Sequence, residues 1–110
     1  MSIVEMICHA ANQSLDGAQS LPFSAYTDPT LLLAEQADIF AKEWLFVCME
    51  GEIPNPGNYF AMNLAGEPII VMRGDDGDLL ALSNICRHRG TVLLDEGFGS
   101  IDKYIICSYH

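Results

Sequence analysis

Basic residues are scarce in this sequence. Its 110 residues contain five Lys and Arg against fifteen Asp and Glu, which gives a formal net charge of −10 at pH 7. Nucleic acids and anionic membranes attract basic surfaces, because lysine and arginine must neutralise the phosphates. The composition therefore predicts no nucleic-acid partner and no membrane partner. The acidity is explained equally well by attraction to a basic or mixed-charge partner protein and by the solubility that net charge confers.

Long hydrophobic runs are also missing. No stretch reaches the eighteen or more apolar residues that indicate a transmembrane helix. The first residues lack the basic start of a secretory signal and carry Glu5 inside their apolar stretch. We therefore expect a cytoplasmic protein of one domain. The sequence has four cysteines, and in that compartment metal binding explains Cys86 and Cys107 better than disulfides do.

The first 44 residues divide into two segments. Residues 1–20 show no hydrophobic period, and we expect a loose N-terminal arm. Residues 21–44 are predicted to form an extended segment and then a helix, with Asp28 as its N-cap and Pro29 in the first helical position. Four apolar residues share one face of that helix, which predicts that this face is buried. They are Leu33, Ala37, Phe40 and Trp44.

From residue 45 the pattern changes to short apolar runs separated by Pro, Asn, Asp and Gly. Such runs between tight turns are typical of antiparallel hairpins. The predicted strands are residues 45–49, 59–64, 68–72, 79–82 and 104–106. The predicted fold class is therefore mainly β, with an antiparallel β domain over residues 45–110 and one N-terminal α-helix before it.

Two Cys/His couples near the end of the sequence carry its chemistry. Cys86 and His88 form one couple, Cys107 and His110 form the other, and residues 89–106 lie between them. Two thiolates with two imidazoles suit a [2Fe–2S] cluster in which Cys binds one iron and His the other. The same residue types also satisfy a tetrahedral zinc site, although zinc modules usually pair Cys with Cys. A disulfide between the two cysteines is a third possibility, which a cytoplasmic setting disfavours.

The residues around these couples resemble a known family. Cys86–Gly90 and Cys107–His110 resemble the Rieske motif of the large (alpha) subunits of ring-hydroxylating and related Rieske non-haem iron oxygenases. Four further segments are similar to the same family: Tyr26–Pro29, Glu52–Gly57, Gly66–Val71 and Leu82–Ile85. The resemblance therefore extends over roughly residues 21–110.

This resemblance implies a Rieske-like fold and a bound [2Fe–2S] cluster. Cys86 and Cys107 would hold one iron, and His88 and His110 the other. It also implies an electron-transfer role, with a ferredoxin or flavin reductase as donor and a catalytic domain of the parent chain as acceptor. That domain would hold a mononuclear Fe(II) ion in a 2-His-1-carboxylate set and hydroxylate or demethylate a small organic substrate. The parent is expected to be a homo-oligomer.

Three features depart from the family pattern. Ser108 stands where the family usually has proline, the spacer between the couples is slightly longer, and the sequence ends at His110. The Gly-Trp, closing strands and catalytic domain that follow in the family are not in this sequence. We therefore expect a C-terminally incomplete Rieske domain that retains its cluster poorly and does not turn over substrate alone. The alternatives are a stand-alone Rieske ferredoxin, which the helical lead-in disfavours, and a Cys2His2 zinc-binding module.

Overall fold

The structure is a computed structural model, and it describes residues 1–109. The chain divides after Trp44 into two compact units, one helical and one rich in β-strands. In the described part of the chain, no helix is both long enough and apolar enough to cross a membrane.

The first helix, α1, spans Ile3–Ala11, where the lack of a hydrophobic period predicts a loose arm. That prediction is wrong for these residues, because a local cap determines the structure. The backbone N–H of Glu5 donates to the Ser2 hydroxyl at 3.2 Å, and the Ser2 N–H donates to the Glu5 carboxylate at 2.6 Å. This reciprocal pair is a capping box, and the Ser-x-x-Glu pattern that encodes it is present in the sequence. Short 3₁₀ turns follow at Leu15–Gly17 and Phe23–Tyr26. The second lies where an extended segment is predicted, so that prediction is wrong there, because backbone hydrogen bonds such as Thr27 N–H to the Ser24 carbonyl fold the chain into a turn.

The second helix, α2, begins where the sequence predicts but ends earlier. It spans Pro29–Glu35 and continues as a π-helical turn over Gln36–Phe40. Its start is confirmed, because the Asp28 carboxylate accepts hydrogen bonds from the backbone N–H groups of Thr30 and Leu31 at 2.7 and 3.2 Å.

The prediction of a buried face on α2 is wrong. Leu33 is 65% exposed and Trp44 is fully exposed, whereas Leu31 is the residue that α2 buries. The π-helical turn contains hydrogen bonds from residue i to residue i+5, so residues beyond Glu35 leave the 3.6-residue period on which the prediction depends.

Helix α2 is expected to lose its N-cap at low pH. Hydrogen bonds from the Thr30 hydroxyl and then the Thr30 backbone N–H lower the pKa of Asp28. A carboxyl group with a lowered folded-state pKa contributes stability above its unfolded pKa and loses it as the pH falls through the folded value. Thermal unfolding by circular dichroism at about pH 6 and about pH 3 should therefore show a larger loss for wild type than for Asp28→Asn, since an amide caps without titrating in this range. Equal losses would contradict this assignment.

The β-rich unit contains one four-stranded antiparallel sheet. Its strands are β1 (Asn58–Leu64), β2 (Glu67–Arg73), β3 (Leu79–Ser83) and β4 (Gly97–Ser100), in the order β3-β2-β1-β4. The first three confirm predicted strands to within one residue at each end. The turn between β1 and β2 is closed by the Asn63 side chain, whose carbonyl oxygen accepts from the Gly66 N–H at 3.0 Å.

Two predicted strands are not formed, and one strand was not predicted. Residues 45–49 and 104–106 belong to no strand in the structure. Strand β4 contains two glycines, which in sequence indicate a turn. Gly99 lies opposite Tyr59 of β1, and a Cβ atom on Gly99 would collide with the tyrosine ring. The glycine therefore makes room for the aromatic ring, and this long-range contact is invisible in a local pattern.

Buried side chains and one arginine join the sheet to the segment before it. The fully or almost fully buried core residues here are Ile53, Ala61 and Ile70. Arg73, at the end of β2, donates from Nε to the Ile53 carbonyl at 3.1 Å and from Nη1 to the Gly77 carbonyl at 2.9 Å. Its guanidinium also lies 3.4 Å from the Glu50 carboxylate. These bonds fix the end of the β2–β3 hairpin against the preceding turn.

Candidate metal centre

The first Cys/His couple lies on a narrow turn between β3 and β4. The backbone N–H of Cys86 donates to the Thr91 carbonyl at 2.8 Å, and that of Gly90 donates to the Cys86 carbonyl at 2.9 Å. An isolated β-bridge pairs Ile85 with Val92, the residues directly before Cys86 and directly after Thr91, and so closes the turn. The backbone is therefore tightly folded between Cys86 and Gly90, which places His88 at the exposed tip.

A buried asparagine holds the base of this turn. The Asn84 side chain is 1% exposed; its Nδ2 donates to the Leu94 carbonyl at 2.7 Å, and its Oδ1 accepts from the Leu94 N–H at 2.9 Å. The Asn84 backbone N–H also donates to the Pro68 carbonyl on β2 at 2.9 Å. Sequence reasoning missed this role. The available signal was a lone amide side chain between the apolar strand β3 and the first ligand.

The two predicted cysteine ligands meet, although they are 21 positions apart (107 − 86). Both are free thiols, and their side chains are joined by a hydrogen bond. The backbone N–H of His88 lowers the pKa of Cys86, and the Cys107 side chain and the Arg89 N–H lower it further, against the opposing effect of burial. Donors directed at a sulfur stabilise its thiolate, which is the form that binds metal.

The other two cysteines have different surroundings. Cys48 is half-buried, close to the predicted role of a small core residue, and burial followed by the nearby charge of Glu52 raises the pKa of its thiol. Cys8 lies exposed on α1. The direction of the pKa shift therefore distinguishes Cys86, which favours the thiolate, from Cys48, which disfavours it.

A cation–π contact joins the two ligand loops. The guanidinium carbon of Arg89, on the first loop, lies 5.9 Å from the centre of the Tyr109 ring, on the second. Contacts of this kind contribute about 0.5–1 kcal/mol at exposed sites. The sequence does not predict this contact, since a solvated Arg89 and an Arg89 in contact with a partner fit its pattern equally well.

The structure brings together only part of the predicted ligand set. Cys86 and Cys107 are in contact, His88 is exposed at the tip of its turn, and His110 lies outside the described residues. Within residues 1–109, no group of three or more His, Cys, Asp or Glu side chains is arranged to hold a metal ion. The paired thiols and the N–H donors at Cys86 fit an iron that is held by two cysteines. The assignment of all four ligands stays a prediction.

Comparison with known proteins identifies the family to which these ligand loops belong. A family model described as the Rieske [2Fe-2S] domain matches residues 43–110. The chain is 46% identical over 94 residues to the glycine betaine monooxygenase oxygenase subunit of Chromohalobacter salexigens, an alignment that covers 86% of this chain and 21% of the relative. It is 36% identical over 110 residues to the carnitine monooxygenase oxygenase subunit of Acinetobacter baumannii, which covers 100% of this chain and 29% of the relative.

A solved structure agrees with these alignments. The quaternary ammonium Rieske monooxygenase CntA superposes on the chain with a TM-score of 0.78 at 38% identity, covering 92% of this chain and 29% of that one. The chain therefore spans between 21% and 29% of the length of these three relatives.

Proposed function

The chain belongs to the Rieske [2Fe–2S] domain family, and from that membership we propose that it is the electron-transfer domain of an oxygenase large subunit. Domains of this family bind a [2Fe–2S] cluster, with cysteine on one iron and histidine on the other. The observation that supports the proposal most directly is the contact between the Cys86 and Cys107 thiols, because it delivers one sulfur from each ligand loop to the same point.

We assign the ligands by type. Cys86 and Cys107 hold one iron as thiolates, and His88 and His110 hold the other through neutral imidazoles. The bound cluster supplies storage for one electron at a time. The backbone N–H groups of His88 and Arg89 donate to the Cys86 sulfur, so they offset negative charge on its thiolate.

The electrons have a source and a destination outside this chain. We propose a ferredoxin or flavin reductase as donor and a mononuclear iron in a catalytic domain of a homo-oligomeric parent as acceptor. The relatives are named for glycine betaine, carnitine and quaternary ammonium compounds. Those names favour a small quaternary ammonium substrate that the parent hydroxylates or demethylates.

The parent protein, expressed from its full natural reading frame and reconstituted with iron and sulfide, tests this proposal. We expect two acid-labile sulfides per chain and a red-brown colour, as one [2Fe–2S] cluster requires. With a reductase and NADH, we expect oxidation of glycine betaine or carnitine, measured by mass spectrometry of the product. A protein that holds one zinc and no sulfide would contradict the cluster. A reducible cluster with no product from any small substrate would instead indicate a stand-alone electron carrier.

A further inference from the structure

We propose that Asn84 is a positioning residue that fixes the first ligand loop, although it is not itself a ligand. This inference rests on the proposed cluster site. Asn84 lies two positions before Cys86 and connects the sheet to the turn that carries Cys86 and His88. Its side chain, rather than a longer strand ladder, closes the base of that turn.

The chemistry of the contact requires an amide. Leu94 presents one donor and one acceptor to Asn84, its backbone N–H and C=O, at 2.9 and 2.7 Å. Only a side chain with both an N–H donor and a carbonyl acceptor at this length satisfies the two groups together. Replacing it leaves both groups of Leu94 without their partner in a part-buried site, which is unfavourable.

The backbone of Asn84 extends the connection in two directions. Its N–H donates to the Pro68 carbonyl on β2 at 2.9 Å, and its carbonyl accepts from the Leu93 N–H at 3.2 Å. Asn84 thus holds the outgoing and returning arms of the turn at one level and anchors both to the sheet. These hydrogen bonds therefore set the direction in which the Cys86 and His88 side chains project from the turn.

The experiment compares Asn84→Ala with the core variant Ile70→Val in the full-length parent protein loaded with its cluster. Ile70 is fully buried on β2 and lies outside the ligand loops. Ile70→Val therefore weakens the sheet without removing the hydrogen bonds between Asn84 and Leu94. The measurements are the rate of loss of visible absorption in the presence of a chelator and the electron paramagnetic resonance g-values after reduction with dithionite.

We expect Asn84→Ala to lose its cluster at least about tenfold faster than Ile70→Val and to show shifted or broadened g-values, the scale on which outer-shell partners affect metal sites. Ile70→Val should keep the wild-type g-values. Since Asn84→Ala introduces no charge, a change in the g-values reports ligand geometry. Wild-type g-values and a loss rate equal to that of Ile70→Val would overturn the proposal.

Asn84→Asp covers the case in which the alanine variant does not fold. It keeps the acceptor for the Leu94 N–H but turns a carboxylate oxygen, in place of the amide donor, toward the Leu94 carbonyl. The cluster should therefore be lost at least several-fold faster than in wild type. A wild-type rate in Asn84→Asp would then overturn the proposal. Failure of the wild-type parent to bind iron and sulfide would instead overturn the proposed function, and this inference with it.

Discussion

Replacing Cys86 or Cys107 with serine is expected to abolish the [2Fe–2S] cluster, whereas Cys8→Ser and Cys48→Ser should retain it in full. The two pairs separate by environment: Cys86 and Cys107 are hydrogen-bonded to each other, Cys8 is exposed on α1, and the Cys48 thiol has a raised pKa. A hydroxyl remains protonated near neutral pH and is a poor ligand where a soft thiolate is needed.

The four serine variants of the parent protein form a matched set, since each replaces one sulfur atom with oxygen and changes no other atom of the side chain. Iron and acid-labile sulfide should fall to background in Cys86→Ser and Cys107→Ser and stay at wild-type values in the other two. Circular dichroism on the same samples shows whether a variant that lacks the cluster is still folded. A full cluster in Cys86→Ser, or its loss in Cys48→Ser, would show that the ligand assignment is wrong.

The site was predictable where it depends on residue type and spacing. Cysteine and histidine in two short couples indicate a mixed-ligand metal centre before any fold is known, and the family match agrees with that interpretation. The contacts that support the loops were not predictable in the same way. Asn84 meets Leu94 across ten positions and Arg89 meets Tyr109 across twenty (109 − 89), and no local pattern specifies such pairs.

The fold, like the site, was predictable from local signals and not from long-range contacts. β1, β2 and β3 were predicted because tight turns and apolar runs are local signals, and the Asp28 cap was predicted for the same reason. β4 was missed because its glycines suit a turn locally and become strand residues only beside Tyr59. The exposed face of α2 is the converse case: Leu33 follows a local hydrophobic period, but such a period does not ensure that another element covers it.

Gly57→Ala is expected to destabilise the β-rich unit by at least about 3 kcal/mol, through left-handed backbone strain together with a backbone collision. Gly57 has φ of +87°, and a Cβ atom there would collide with the Ile101 carbonyl oxygen. The backbone cannot move away freely. The Gly57 N–H donates to the Arg73 carbonyl and its own carbonyl accepts from the Ile101 N–H, both at 2.9 Å.

Gly77→Ala separates the two causes. Gly77 has the same φ of +87°, but apart from its two chain neighbours no residue among 1–109 has an atom within 4 Å of the position where its Cβ would be built. It should therefore cost only the left-handed strain, about 1–2 kcal/mol. Hydrogen exchange of the β1 amides, followed by mass spectrometry, should accelerate more than about a hundredfold in Gly57→Ala and by no more than about thirtyfold in Gly77→Ala, since about 1.4 kcal/mol corresponds to a factor of ten. Equal acceleration in the two variants would show that the Ile101 carbonyl yields to the added methyl group, so that φ alone requires glycine at position 57.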